Sequence, residues 1–142
     1  MTTIAYKDNV IAYDSRVTSD ITIIDDNCEK KRVENNVAFF LTGSTADHDR
    51  LIAAYFGAEI NLKNVNANAM VADSDALYLI GVDEEVGIFR TPLSKDITYA
   101  IGSGADHALT AMDMGLSAAD AVKMAAKRDT CTGGKIRRYK CK

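Results

Sequence analysis

Tryptophan is absent from this chain of 142 residues, proline occurs once, as Pro92, and histidine twice. Cysteine is scarce as well: Cys28, Cys131 and Cys141 are odd in number, and none sits in a Cys-x-x-Cys spacing. That argues against a disulfide framework and a structural zinc site, and fits free thiols in a reducing compartment. No apolar run approaches the ~20 residues of a membrane-spanning helix. No basic-then-apolar leader opens the chain, so a cytoplasmic location without a membrane partner is expected. Neither charge sign dominates: 17 Lys and Arg against 20 Asp and Glu give a net charge of −3. Nucleic acid is therefore not expected as a partner. The one basic cluster, Lys135-Ile136-Arg137-Arg138-Tyr139-Lys140-Cys141-Lys142, interleaves basic and apolar residues in the manner of a half-exposed strand.

What is present is ordinary for a globular protein: 47% apolar and 26% charged residues. A chain of this length forms one domain, residues 1–142, burying about two-thirds of its unfolded surface. Its first forty residues read as strands. Thr3 to Tyr6 and Val10 to Tyr13 flank the turn Lys7-Asp8-Asn9, and strands at Lys31 to Val33 and Val37 to Thr42 flank Asn35-Asn36. Ser44 or Thr45 can cap a helix carrying the i,i+4 pairs Leu51/Tyr55 and Ile52/Phe56, with Gly57 as its stop. Ala58 to Asn68 lacks a sustained period and reads as loop. Strands follow at Ala76 to Val82 and Glu85 to Arg90, then helices at Ala105 to Met114 and Ala118 to Arg128, the second capped by Ser117 with Asp120 three residues on. Gly133-Gly134 leads into a last strand. Runs of strands joined as hairpins, segregated from helices, predict a layered α+β fold.

The chemistry starts at the second residue. Removal of Met1 leaves Thr2 with a free α-amine, and an N-terminal threonine combines nucleophile and base in one residue: the hydroxyl attacks a carbonyl while the amine takes the proton. Four further segments stand in order behind Thr2-Thr3-Ile4. They are Ala12-Tyr13-Asp14-Ser15-Arg16, Thr42-Gly43-Ser44-Thr45-Ala46-Asp47, Ala100-Ile101-Gly102-Ser103-Gly104 and Asp129-Thr130-Cys131-Thr132-Gly133-Gly134. Together these five segments resemble the proteasome β-subunit family of N-terminal nucleophile hydrolases, including the bacterial proteasome-like peptidase. The likeness runs from Thr2 to the C-terminus, with Thr132 where the family has serine. In its compactness the chain is similar to proteasome-like proteins carried by bacteriophages.

The resemblance implies a four-layer αββα sandwich with a reduced first helical layer. It also implies a threonine protease that forms an acyl-enzyme intermediate on peptide or unfolded-protein substrates, inside a homo-oligomeric ring and without cofactor or metal. Thr2 is the implied nucleophile. Asp14 would orient a buried lysine, and Gly43 would offer its N–H to the oxyanion. Ser103, Asp129 and Thr132 would support the threonine amine. Two lysines compete. Lys30 keeps the family's usual distance from the aspartate. Lys31 preserves strand facing if the hairpin to Gly43 is shortened by two residues, and shares a face with Val33; it is the favoured choice.

Other readings fit some of the same residues. Asp47, His48, Asp49, Asp106 and His107 could be taken as metal ligands, but aspartate early in a helix is already explained by the helix dipole. Cys131 falls at a position variable in the family, and Cys141 lies at the very end, so a Cys–His pair is disfavoured. A non-catalytic ring protein of the same fold, and an amidase acting on a small amide, are the two functional alternatives. The family places two long helices after the Gly-rich turn. Only Thr45 to Phe56 has the pairing for one, so docking of the usual unfoldase partner through that outer face is not expected.

Overall fold

A computed structural model describes residues 2–142; the expected loss of Met1 lies outside them. The chain divides into two compact units, residues 1–30 with Ser94–Lys142, and Lys31–Leu93. The first contains β1 (Thr3–Lys7), β2 (Val10–Tyr13), and a separate hairpin of β3 (Val17–Ser19) and β4 (Thr22–Asp25). The second contains β5 (Lys31–Glu34), β6 (Val37–Gly43), a 3-10 turn Thr45–Asp47, α1 (His48–Tyr55), β7 (Ala67–Asp73), β8 (Ala76–Asp83) and β9 (Gly87–Leu93). The chain then returns to the first unit with β10 (Tyr99–Gly102), α2 (Ala105–Asp113), α3 (Ala118–Ala126) and β11 (Arg137–Lys140). It is a mixed fold of three sheets and few helices. Among the described residues no helix is long and apolar enough to cross a membrane.

In the first unit the strand order is β10-β1-β2-β11, antiparallel throughout. Asp8 and Asn9 carry φ of 51° and 67°, the left-handed pair that a two-residue hairpin turn requires. One face of this sheet is alanine: Ala5, Ala12 and Ala100 meet Ala108, Ala111, Ala118, Ala121, Val122 and Ala125 of the two helices. Side chains this small let helix and sheet backbones come close. Ser117 caps α3 by accepting the Asp120 N–H at 3.2 Å, as its spacing predicts.

The second unit is built from larger pieces. Its sheet runs β5-β6-β7-β8-β9, and α1 lays Leu51, Ile52 and Tyr55 against Phe39, Leu41, Val71 and Ile80. Asn35 and Asn36 again supply positive φ, at 51° and 64°. Pro92 sits opposite Tyr78 on edge strand β9, where a missing N–H is tolerated. Two expectations are corrected here. Neither Ser44 nor Thr45 caps the helix through its side chain. The supposed loop from Ala58 to Asn68 gives way at Ala67 to β7, the middle strand of five.

Candidate active site

Asp14, at the end of β2, is wholly buried. Its Oδ1 accepts the Thr2 hydroxyl, the Thr3 N–H at 3.1 Å and the Lys30 ammonium at 2.8 Å. Its Oδ2 accepts the Gly133 N–H at 2.9 Å and the Arg16 N–H at 3.3 Å. Both oxygens of this buried side chain thus have their lone pairs met by protein donors in place of water.

Lys30 immediately precedes β5 and is 9% exposed. Its Nζ donates to the Thr2 hydroxyl as well as to Asp14. Burial pushes its proton affinity below that of an ordinary lysine, and the attraction of Asp14 recovers part of the difference. Thr2 itself is 1% exposed. Thr2 Oγ1 therefore lies between a cation and a carboxylate, with water largely excluded.

The position of Thr2, just before β1, is fixed by the Gly-Ser-Gly segment. Gly104 donates its N–H to the Thr2 carbonyl at 3.3 Å, and the Ser103 hydroxyl points to the same oxygen at 3.4 Å. Gly102 has φ of +100°, and a Cβ there would strike that carbonyl, so glycine is required on both counts. Ser103 also donates to Asp129 at 2.6 Å. Thr132 donates to the same Asp129 oxygen at 2.7 Å, and the Cys131 N–H donates to the other at 3.1 Å. Burial alone would raise the Asp129 carboxyl; these hydrogen bonds outweigh it and hold the group below the usual carboxylate value.

Of the residues singled out in the sequence, Thr2, Asp14, Lys30, Ser103, Asp129 and Thr132 thus lie in one unit, linked by hydrogen bonds. The preference for Lys31 is reversed in position. Lys31 opens β5 opposite Phe40, in the other unit. The facing argument set Lys31 on one face with Val33, and Val33 is 58% exposed. Lys30 precedes the strand and is not bound by its alternation.

Gly43 belongs to the second unit, at the end of β6 with φ of +93°. A Cβ there would collide with the Asn66 carbonyl, which accepts the Ser44 N–H at 2.7 Å. Asp47, the last residue of the Gly-rich segment and considered in the sequence as a possible metal ligand, braces this turn: it accepts the Asn66 N–H at 2.9 Å and pairs with Arg50. His48 hydrogen-bonds the Thr42 carbonyl, and burial lowers its proton affinity. Among the described residues no three His, Cys, Asp or Glu side chains converge as a ligand set.

Sequence reasoning quoted Thr3, Arg16 and Gly133 within its segments but gave them no role. Arg16 grips Asp26 through Nε at 2.8 Å and its NH2 nitrogen at 3.1 Å, and donates to the Thr130 carbonyl. That pairing ties the base of the β3–β4 hairpin to the segment carrying Thr132. The available signal was position: Arg16 follows Asp14 by two residues, as Thr3 follows Thr2 by one.

No family model matches the chain, and no curated protein matches its sequence. Solved structures do match. The crystal structure of eukaryotic HslV from Trypanosoma brucei superposes with a TM-score of 0.71 at 18% identity, covering 97% of each chain. Thiobacillus denitrificans BPH, solved in complex with epoxomicin, gives 0.68 at 20% identity over 97% of this chain and 96% of that one. The chain has the HslV fold. The proteasome-like architecture inferred from five short segments is thus borne out at the level of fold. The cluster around Thr2 is built on the first strand of that HslV-like framework.

Proposed function

We propose that this protein is a threonine-type amide hydrolase acting on peptide bonds, with Thr2 as nucleophile once Met1 is removed. Thr2 Oγ1 attacks the scissile carbonyl and its proton passes to the freed α-amine, directly or through one water. The tetrahedral oxyanion takes a backbone N–H, the role the resemblance gives to Gly43; the amine returns its proton to the leaving nitrogen, and an acyl ester remains on Thr2. Water then enters by the same route and releases the acid. Lys30 and Asp14 act on the hydroxyl: the ammonium stabilises the developing alkoxide, and the carboxylate orients the ammonium. Ser103, Asp129 and Thr132 hold the start of β1 so that the nucleophile does not drift.

The observation carrying this reading is the contact of one buried hydroxyl, at residue 2, with both a buried lysine and a buried aspartate. The fold supports it, as does the epoxomicin bound in the BPH structure. The decisive experiment is mass spectrometry of the purified protein before and after incubation with a peptide epoxyketone. The expected result is a chain lacking Met1 that gains one adduct, on Thr2, with hydrolysis lost in Thr2→Ala. An adduct elsewhere, or hydrolysis surviving in Thr2→Ala, overturns the assignment.

The finer architecture we propose is the four-layer αββα sandwich with a reduced first helical layer, since each unit covers a sheet with helix on one face. We further propose a cytoplasmic, ring-forming homo-oligomer that assembles through α2 and α3, where Met114 is 80% and Met124 42% exposed. A single helix, α1, between β6 and β7 supports the expectation that the usual unfoldase does not dock there. Native mass spectrometry, and mixing with a bacterial unfoldase ring, test these two points.

A further inference from the structure

We infer that Thr3 is a positioning residue of this site, its hydroxyl donating to Thr132 and so joining the Asp14 network to the Asp129 network across the first residue of β1. The inference rests on the reading of Thr2 as nucleophile. Thr3 is fully buried, and each of its polar groups meets the site. Its N–H donates to Asp14 Oδ1 at 3.1 Å, and its carbonyl accepts the Asp14 N–H at 3.3 Å. Its Oγ1 lies 2.7 Å from Thr132 Oγ1.

The direction of that last bond follows from proton counting. Thr132 has one hydroxyl proton, and it goes to the Asp129 carboxylate at 2.7 Å, which has none to give. Thr132 can then only accept from Thr3. The chain of donation runs Thr3 to Thr132 to Asp129, with Ser103 entering the same carboxylate oxygen from the other side at 2.6 Å. Consecutive side chains on a strand point to opposite faces. Thr2 accordingly meets Lys30 and Asp14, while Thr3 meets Thr132. Thr2 reaches Asp14 by its hydroxyl and Ser103 by its carbonyl; Thr3 adds a side-chain link between the two carboxylate networks, and the displacement it prevents is that of the neighbouring nucleophile.

Gly104 makes room for the contact. Its φ of −94° is open to any residue, yet a Cβ there would strike Thr3 Oγ1 and approach Thr132 Oγ1 to 3.0 Å. The second glycine of Gly-Ser-Gly is thus explained by the Thr3 hydroxyl rather than by backbone conformation.

The test compares Thr3→Val, isosteric but unable to donate, with Thr3→Ser, which keeps the hydroxyl. Steady-state hydrolysis of a fluorogenic peptide is measured, with active sites counted by epoxyketone titration. Thr3→Val should lower kcat about tenfold, the loss expected when a buried acceptor goes unmet, with KM little changed. Thr3→Ser should stay near the wild type. On a Thr132→Val background, Thr3→Val should add nothing further. Wild-type kcat in Thr3→Val, or an equal loss on both backgrounds, overturns the inference while leaving Thr2 in place. Should Thr3→Val fail to fold, Thr3→Ala against Thr3→Ser decides: a loss confined to Ala supports the hydroxyl, and equal values overturn it. A wild-type protein that neither hydrolyses nor labels at Thr2 overturns the reading of the site, and this inference with it.

Discussion

The two units of this chain solve burial in opposite ways. In the first, the layer between sheet and helices is almost all alanine, and Thr2, Thr3, Asp14, Ser15, Lys30 and Thr132 are buried polar residues. In the second, the core is Phe39, Leu41, Leu51, Ile52, Tyr55 and Val71, and the buried polar residues are Thr42 and Asp47. Small side chains bury little apolar area each, but they let backbones come near enough for N–H groups to serve as ligands. Gly133 and Gly104 do this at Asp14 and at Thr2. In the first unit it is the helix-covered alanine layer that brings polar groups from distant segments together, while the other face of the same sheet buries Ile4, Tyr6, Ile11 and Tyr13 as the second unit buries its own large side chains. Each prediction below tests that division.

The largest effect belongs to Thr2. Thr2→Ala should lose hydrolysis by a factor on the order of 10⁴ or more while keeping its melting temperature, because the change removes the covalent step and little volume. Next is Lys30. Lys30→Ala should lower kcat/KM about a thousandfold and also destabilise the fold by about 3–5 kcal/mol, since it leaves the buried Asp14 carboxylate without its cation. Lys31→Ala should be mild on both measures. Parallel kinetics and chemical denaturation distinguish the two lysines, and an inverted result would give the active-site role to Lys31.

That lysine is also where the sequence ceased to be legible. Turns announced themselves: Asp8-Asn9 and Asn35-Asn36 are residue types that accept positive φ, and they do so here. The helices of the first unit were visible as the ranges Ala105 to Met114 and Ala118 to Arg128, the second marked by Ser117. Thr2, Asp14, Ser103, Asp129 and Thr132 were named through the resemblance of five ordered segments to one family, and no single segment would have named them. Three things were hidden. Strand β7, Ala67–Asp73, is rich in alanine, a weak strand former, and is a strand because it lies between β6 and β8. The β3–β4 hairpin is largely exposed and leaves little buried pattern to read, with Ile21 at 94%. Lys30 lies in a charged run where facing depends on where the strand begins, and one residue of offset exchanges inside for outside.

The second unit should respond as a core does. Leu51→Ala, at a site with no exposed surface, should cost about 2–5 kcal/mol of stability. The molecules that remain folded should still label at Thr2 with unchanged stoichiometry. Denaturant titration together with epoxyketone labelling reads both quantities. A folded variant that no longer labels would show that the division between the units is not functional.

The smallest effect is a pH dependence carried by Asp129. Its carboxyl is held below the usual value by donors from Ser103, Thr132 and Cys131, which outweigh its partial burial. A group whose folded-state proton affinity is depressed contributes stability above its unfolded pKa, near ~3.9 for aspartate, and loses it as pH falls through the lower folded value. The contribution is therefore complete at neutral pH, declines below about pH 4, and is gone once both forms are protonated. Asp129→Asn accepts hydrogen bonds but carries no charge to lose. The melting-temperature difference between wild type and Asp129→Asn should be greatest at neutral pH and should shrink as the solution is acidified past the aspartate range. Lys30 acts in the same direction at the other end of the scale: burial lowers its proton affinity, so its penalty is present at neutral pH and relieved only as pH rises through its folded value. The acid side of the profile thus belongs to Asp129 and the alkaline side to Lys30. A difference that stays constant from neutral pH down through the aspartate range would mean that Asp129 is not held as a carboxylate by its neighbours.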